Sequence, residues 1–97
     1  MANINVKSQS SAVLTADTQV VAGGERGMVT AVQAIGGTNT VVKLYSGTSA
    51  SGTYLGEVRI GAIVATVWPS GNLPEYTNGL FAAVSGSSPE GLVWFTH

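Results

Sequence analysis

The stretch VVKLYSGTSASGTYLGEVRI, residues 41–60, decides the fold class of this chain. Polar and apolar side chains alternate through residues 42–45 and again through residues 57–60, as expected of strands with one buried face. The eight residues between the two apolar segments, 46–53, are only Ser, Gly, Thr and Ala, small residues that favour turns. The stretch therefore predicts two antiparallel strands joined by a loop that carries no chemistry.

Other short segments show the same kind of pattern. Runs that alternate, or that are rich in β-branched and aromatic residues, occupy residues 3–7, 12–21, 28–35, 63–68, 80–84 and 92–95. The glycine pair 36–37 and the small polar residues at 85–91 are predicted to be turns. The thirteen glycines would each cost about 1 kcal/mol inside a helix. The sequence predicts an all-β fold: a single-domain antiparallel β-sandwich, jelly-roll-like, with about eight short strands.

The length of the chain sets its domain organisation. Ninety-seven residues suffice for one hydrophobic core and not for two, so residues 1–97 are expected to be a single domain. The serine-rich stretch 8–11 resembles a linker, which would let residues 1–7 leave the sandwich and pair with a neighbouring chain. We therefore expect residues 1–11 to form an extended N-terminal arm.

Charge is scarce in this chain. Charged residues are 9% of the total, against about 25% in an average protein, and the formal net charge is -1. The four cations are scattered along the sequence and form no basic stripe, so neither nucleic acid nor an anionic membrane is an expected partner. Because low charge favours association, we expect a homo-oligomer whose assembly covers part of the surface.

The sequence also bears on where the protein is made. The amino terminus lacks the basic start and apolar run of a signal peptide. No apolar run approaches the ~20 residues that span a bilayer as a helix. We therefore expect synthesis in a cytoplasm, without an export signal. The absence of cysteine excludes disulfides and thiolate metal sites.

The residues that catalysis needs are few and poorly placed. The only histidine, His97, is the last residue, where a general base is rarely held within about 3 Å of its target. Asp17 is the only aspartate, and Glu57 alternates with Arg59 on a strand face that we expect to be solvated. The sequence has no metal-ligand spacing, calcium loop or phosphate-binding glycine loop. We expect no catalytic, cofactor-binding or metal-binding residues and no enzyme activity.

The aromatic residues allow two interpretations, core packing and partner contact. Trp94 fits the core better, although residues 92–95 are apolar on both faces, which indicates a strand covered by a second sheet and by a neighbouring subunit. Trp68 and Tyr76 stand at the two ends of a predicted loop, where burial and exposed contact are equally compatible with the sequence. The candidate partner-contact residues are Ile4, Val6, Trp68 and Tyr76.

One family resemblance follows from these segments. The stretch 41–60, followed by YTNGLFAAVSG at 76–86 and by a closing apolar strand, resembles small β-sandwich structural proteins of tailed bacteriophages. The similarity is to proteins of podovirus-like phages of marine bacteria and covers residues 27–96. Ser46 stands where the family pattern has Asp after the tyrosine, and the WFTH ending also departs from that pattern.

The resemblance implies a virion component of the capsid-decoration, head-fibre or tail-associated kind. We expect a decoration protein on the capsid surface, made in the bacterial host cytoplasm and assembled as a symmetric homo-oligomer such as a trimer. The expected partner is the major capsid protein or another virion protein, and no cofactor is implied. The alternative is a carbohydrate- or receptor-binding module of a phage fibre or tail, which exposed Trp and Tyr side chains would favour.

Overall fold

The computed structural model of the chain describes residues 9–59 and 75–96. Within these residues it has six strands, all paired antiparallel, and no helix, which confirms the predicted all-β class. The strands are β1 (Gln9–Ser10), β2 (Thr18–Val21), β3 (Gly27–Ser46), β4 (Thr53–Arg59), β5 (Glu75–Tyr76) and β6 (Leu80–Phe95). The strands predicted at 3–7 and 63–68 lie outside the described residues.

Two long strands, β3 and β6, are the frame of the fold. They contain 20 and 16 residues and pair antiparallel from Val29 opposite Phe95 to Ser46 opposite Leu80. β4 pairs with the second half of β3, and β5 pairs with its start. β1 and β2 pair with the two ends of β6. The six strands therefore form one open sheet, in which the main path runs β1-β6-β3-β4.

Two of the described strands, β3 and β6, are much longer than the short strands predicted. The turns predicted at 36–37 and 85–91 are wrong, because both segments lie inside long strands and appear there as irregularities in the β3–β6 pairing. Gly37 and Gly86 have positive φ angles of 87° and 128°, which let the backbone absorb extra residues without ending the ladder. Glycine and serine suit bulges as well as turns, so their presence alone does not end a strand.

These irregularities accompany a sharp bend of the β3–β6 ribbon. A Cβ atom built on Gly91 would lie 2.7 Å from Cγ2 of Val42. In the ladder, Gly91 pairs with Ala34, which precedes Val42 by eight residues, or roughly 26 Å along a straight strand. The second half of β3 therefore approaches the residue of β6 that pairs with its first half, and a glycine at position 91 permits this approach.

The bent sheet encloses the core. Val42 and Leu44 are fully buried and Val58 is nearly so, which confirms the inward faces predicted for β3 and β4. The core cluster of the described residues consists of Leu14, Val21, Val29, Val32, Ala34, Val42, Leu44, Val58, Tyr76, Leu80, Ala82, Val84, Val93 and Phe95. Since this cluster includes residues from both halves of β3 and β6, the two halves share one core.

The close approach at Gly91 gives a stability prediction. We expect Gly91→Ala to lower the free energy of unfolding by about 1–3 kcal/mol, because the new methyl group overlaps the buried Val42 side chain. The matched control is Gly36→Ala, whose Cβ would meet the terminal oxygen of the exposed Glu90 side chain, which can move away. Urea unfolding of both variants checks this, and equal losses would contradict the close packing at position 91.

Candidate binding surface on the outer face of the sheet

The outer face of the sheet carries a row of aromatic side chains. The register places Phe81 of β6, Tyr45 of β3 and Tyr54 of β4 side by side. Their neighbours in the strands, such as Leu44 and Leu80, are fully buried, so this row lies on the side away from the core. Phe81 and Tyr45 are partly exposed and Tyr54 is 51% exposed. Three aromatic rings thus face solvent on neighbouring strands.

A second row next to the aromatic one is charged. Lys43 of β3 pairs with Glu57 of β4, and Arg59 follows two residues later on the same face. We call the set Lys43, Tyr45, Tyr54, Glu57 and Arg59 the tyrosine face. It combines one exposed and one partly exposed phenol ring with a carboxylate, a guanidinium and an ammonium group.

A bulge in β4 places Tyr54 on this face. Leu44 pairs with Gly56, and Tyr45 pairs with Tyr54, so Leu55 is the extra residue between the two pairs. Gly56 has φ 143°, a value that side chains disfavour. Strict alternation would have put Tyr54 on the same side as Val58, toward the core. The sequence did carry a signal for the change, because a glycine inside a strand often marks a bulge.

The polar groups of the tyrosine face form a connected chain. The Tyr54 hydroxyl donates a hydrogen bond of 2.5 Å to Oε1 of Glu57. Oε2 of Glu57 lies 2.6 Å from Nη2 of Arg59. The Tyr54 ring also packs on Tyr45, with ring centroids 5.7 Å apart and the planes inclined by 58°. The exposed Tyr54 ring is therefore held from two sides.

These contacts change how the two acidic groups titrate. The hydrogen bond to Glu57 raises the pKa of Tyr54 to about 12, with smaller contributions from desolvation and the Glu57 charge. The same hydrogen bond lowers the pKa of Glu57, and Arg59 and Lys43 act in the same direction. At neutral pH, Tyr54 is therefore a neutral donor and Glu57 an ionised acceptor, which is the pairing that the geometry requires.

A titration tests this pairing. In the folded protein we expect Tyr54 to ionise near its pKa of about 12, and this transition should be absent in Tyr54→Phe. In Glu57→Gln the Tyr54 pKa should fall toward its usual value of 10.0, because the carboxylate acceptor is gone. Since the folded-state pKa of Tyr54 is raised, its stabilising effect is present below pH 10 and is lost as pH rises toward 12. Tyrosinate absorbance measures these pKa values, and an unchanged Tyr54 pKa in Glu57→Gln would contradict the assignment.

A polar depression lies at the end of the β3–β4 hairpin, next in sequence to both tyrosines. Its volume is about 470 Å³, and it is lined by Ser46, Gly47, Thr48, Ser49, Ser51, Gly52, Thr53, Thr77 and Asn78. None of these residues carries a charge. We call this cavity the hydroxyl depression. The loop at 46–53 is the connection between two antiparallel strands, as predicted.

Hydrogen bonds fix the walls of the hydroxyl depression. Ser49 accepts hydrogen bonds from the amide of Ser51, through Oγ, and from the amide of Gly52, through its carbonyl oxygen. Oγ of Ser46 accepts from the amide of Thr77 at 2.9 Å. Nε2 of Gln19 donates to the carbonyl oxygen of Gly47 at 3.0 Å. The loop is thus tied to the sheet and to the segment that precedes β6.

Of the four predicted contact residues, only Tyr76 lies in the described part of the chain. Tyr76 is fully buried and its hydroxyl donates to the carbonyl oxygen of Thr96, so the exposed position considered for it is wrong. Trp94, which we expected in the core, is partly exposed, because Val93 and Phe95 face inward instead. The remaining candidates, Ile4, Val6 and Trp68, lie outside the described residues, as does His97.

Asp17 has a structural position. Its Oδ1 accepts a hydrogen bond of 2.9 Å from the backbone amide of Val84. This bond holds the segment before β2 against the edge of β6. In the part of the chain that the structure describes, no group of three or more His, Cys, Asp or Glu side chains is placed to hold a metal ion.

None of the described residues forms a helix long and apolar enough to cross a membrane. Comparisons of the chain with known protein families, with curated proteins and with solved structures found no match.

Proposed function

We propose that this chain is a bacteriophage virion structural protein, a capsid decoration protein that binds and stabilises the head surface. The observation that carries the proposal is the resemblance of residues 27–96 to the phage β-sandwich proteins. The matching segments have defined places in the fold: YSGTSASGT at 45–53 spans the end of β3, its loop and the first residue of β4. Asn78-Gly79 then leads into β6.

We propose that the protein acts as a symmetric homo-oligomer, such as a trimer, bound to the major capsid protein or another virion protein. A chain with 9% charged residues presents mostly neutral surface, which suits burial between subunits. Many copies on one particle would turn weak individual contacts into lasting attachment. Its place would be the capsid surface, reached after synthesis in the host cytoplasm.

The N-terminal arm is the proposed contact between subunits. β1, which lies within the expected arm at residues 1–11, is only two residues long and stands at the end of the main strand path. Beside it lies a depression of about 340 Å³ lined by Gln9, Val20, Val21, Ala22, Glu25 and Phe95. A short strand at the end of a sheet offers backbone groups for pairing with another chain.

We also propose that the bent sheet serves as the two layers of a jelly-roll-like sandwich. The support for this is the approach of Val42 to Gly91 across the shared core. Nuclear Overhauser effects between the Val42 methyl groups and the Gly91 α-protons should be strong in solution. Their absence would contradict a two-layer arrangement and favour a flatter sheet.

The experiment on function has two parts. Mass spectrometry of purified phage particles should detect the protein. Its copy number per particle should match a number of equivalent positions on the symmetric capsid. Purified protein should also co-sediment with capsids that lack it, and deletion of residues 2–8 should abolish both co-sedimentation and the oligomer. Val13→Ala, a change at an exposed position in the segment between β1 and β2, is the control and should behave as wild type.

The outcomes separate the two claims. If the protein is absent from particles and does not bind capsids, the decoration function is wrong. If capsid binding and oligomeric state survive the deletion, the function stands and the arm is not the contact.

A further inference from the structure

We propose that the tyrosine face and the adjoining hydroxyl depression form a binding site for a neutral oligosaccharide. This inference is independent of the decoration function, because it concerns a surface other than the N-terminal arm. It rests on three observations: exposed aromatic rings held in place, planar polar groups beside them, and an uncharged cavity rich in hydroxyl groups.

The first observation is the exposed tyrosine pair. Tyr54 is 51% exposed, and its ring packs on Tyr45 rather than in the core. Exposed aromatic rings offer an apolar face that the C–H groups of a sugar ring can cover, while the phenol oxygens stay in water. Phe81 extends the row on the next strand, so the platform spans three strands. Its length suits several linked sugar units better than a single small molecule.

The second observation is the set of polar groups next to these rings. Glu57 supplies acceptors and Arg59 and Lys43 supply donors, within one strand pair. Sugar hydroxyls both donate and accept, so a carboxylate next to a guanidinium can bond two neighbouring hydroxyls. Glu57 and Arg59 already pair with each other, which limits the net charge that the surface presents. This balance favours an uncharged ligand over an ionic one.

The third observation is the composition of the hydroxyl depression. Its lining includes the side chains of Thr48, Ser51, Thr53, Thr77 and Asn78, and no ionisable group. At about 470 Å³ it has the volume of an ordinary small-ligand cavity. An uncharged wall of hydroxyl and amide groups matches a polyhydroxylated ligand, for which it offers both donors and acceptors.

The site is also organised in advance. The hydrogen bond from Tyr54 to Glu57 and the contact with Tyr45 fix a ring that would otherwise rotate freely. Ordering a side chain on binding weakens affinity, so a ring ordered beforehand binds more tightly. The loop at 46–53 is likewise tied to the segment before β6 by the Ser46 hydrogen bond and to β2 by the Gln19 hydrogen bond. An exposed tyrosine and a serine-rich loop have little need of such support if they only face water.

The test begins with a glycan array that carries neutral and acidic oligosaccharides. We expect binding to neutral glycans of three or more units, and the strongest of them is then titrated against the full-length protein by calorimetry. Tyr54→Ala should weaken binding at least about tenfold, because the stacking surface is removed. Tyr54→Phe keeps the ring and loses its hydrogen bond to Glu57, so a loss of about threefold is expected.

Two further variants make the assignment specific. Val13→Ala changes a side chain that is 50% exposed, almost the same as Tyr54, and it should leave affinity unchanged. Thr77→Val removes one hydroxyl from the depression at constant shape and should weaken binding several-fold. Circular dichroism of each variant verifies that the sheet is intact, so a loss of binding reports the site and not the fold.

Three results would overturn the proposal. One is the absence of binding to every neutral glycan on the array. A second is a neutral glycan whose affinity is unchanged in both Tyr54→Ala and Thr77→Val. A third is a higher affinity for acidic glycans than for their neutral counterparts, together with a fall in that affinity as salt is added. This would show a charge-driven contact. If Tyr54→Ala instead impairs capsid co-sedimentation while no glycan binds, the surface is a protein contact.

Discussion

Replacing Tyr76 by alanine is expected to lower the free energy of unfolding by about 3–5 kcal/mol, the range seen for large aromatic truncations in cores. Tyr76 is fully buried and heads the set of largest buried side chains in the described chain. It ends β5, and its hydroxyl donates to the carbonyl oxygen of Thr96, so it joins β5 to the C-terminal end of the sheet. Its removal leaves a cavity and an unpaired carbonyl group.

The control for this change is Tyr76→Phe. It keeps the ring and removes only the hydrogen bond to Thr96, so the expected loss is about 0.5–1.5 kcal/mol. Urea unfolding followed by tryptophan fluorescence measures both variants. Equal effects of Ala and Phe would contradict the packing role of the ring. Burial raises the pKa of Tyr76, so its contribution is present below pH 10 and is lost as pH rises above that value.

The second large effect is expected at Gly79, just before β6. Gly79 has φ 84°, and a Cβ atom there would lie 2.6 Å from the carbonyl oxygen of Ala22 and 2.7 Å from that of Val21. Gly79→Ala therefore combines a left-handed backbone cost of about 1–2 kcal/mol with an overpacking cost of about 1–3 kcal/mol. Both clashes are with backbone, which cannot rotate away.

Gly24→Ala is the matched control for Gly79→Ala. Gly24 has nearly the same φ angle, 87°, but nothing lies within 4 Å of a Cβ atom built there. Gly24→Ala should lower the free energy of unfolding only by the backbone cost of about 1–2 kcal/mol. Thermal unfolding of the two variants side by side separates the backbone cost from the overpacking cost. If both lose the same amount, the crowding at Gly79 contributes nothing.

The sequence predicted the class of the fold and its inward faces well. Alternation identified Val42, Leu44 and Val58 as core residues, and all three are buried. This succeeded because a half-buried strand imposes a two-residue period on the local sequence. The serine- and glycine-rich loop at 46–53 was also identified correctly, since two alternating segments flank it.

The bulges in the β3–β6 pairing were beyond local reasoning. Gly36 and Gly37 suit a turn as well as a bulge, and the pairing of β3 with β6 decides between them. The partners in that ladder are as far apart in sequence as Val29 and Phe95, so no short window contains the information. The prediction that strands end at residues 36–37 and 85–91 failed for this reason.

The candidate site was missed for the same physical reason. Tyr54 reaches the outer face because of the bulge at Leu55, which depends on how β4 pairs with β3. The contact role considered for Tyr76 rests on its position at the end of a predicted loop, while its burial depends on the distant Thr96. The pairing within the β3–β4 hairpin decides the exposure of Tyr54, and the contact with Thr96 decides the burial of Tyr76.

The place of β6 in the sheet has a consequence for how the chain folds during synthesis. β6 is the last of the described strands in chain order, yet it pairs with β1, β2 and β3. Until it leaves the ribosome, those strands lack the neighbour that joins them, and β3 exposes the backbone groups that β6 later binds. Pairing across such sequence distances is slow, on the order of milliseconds to seconds. The nascent protein is therefore most vulnerable to association and proteolysis before β6 emerges.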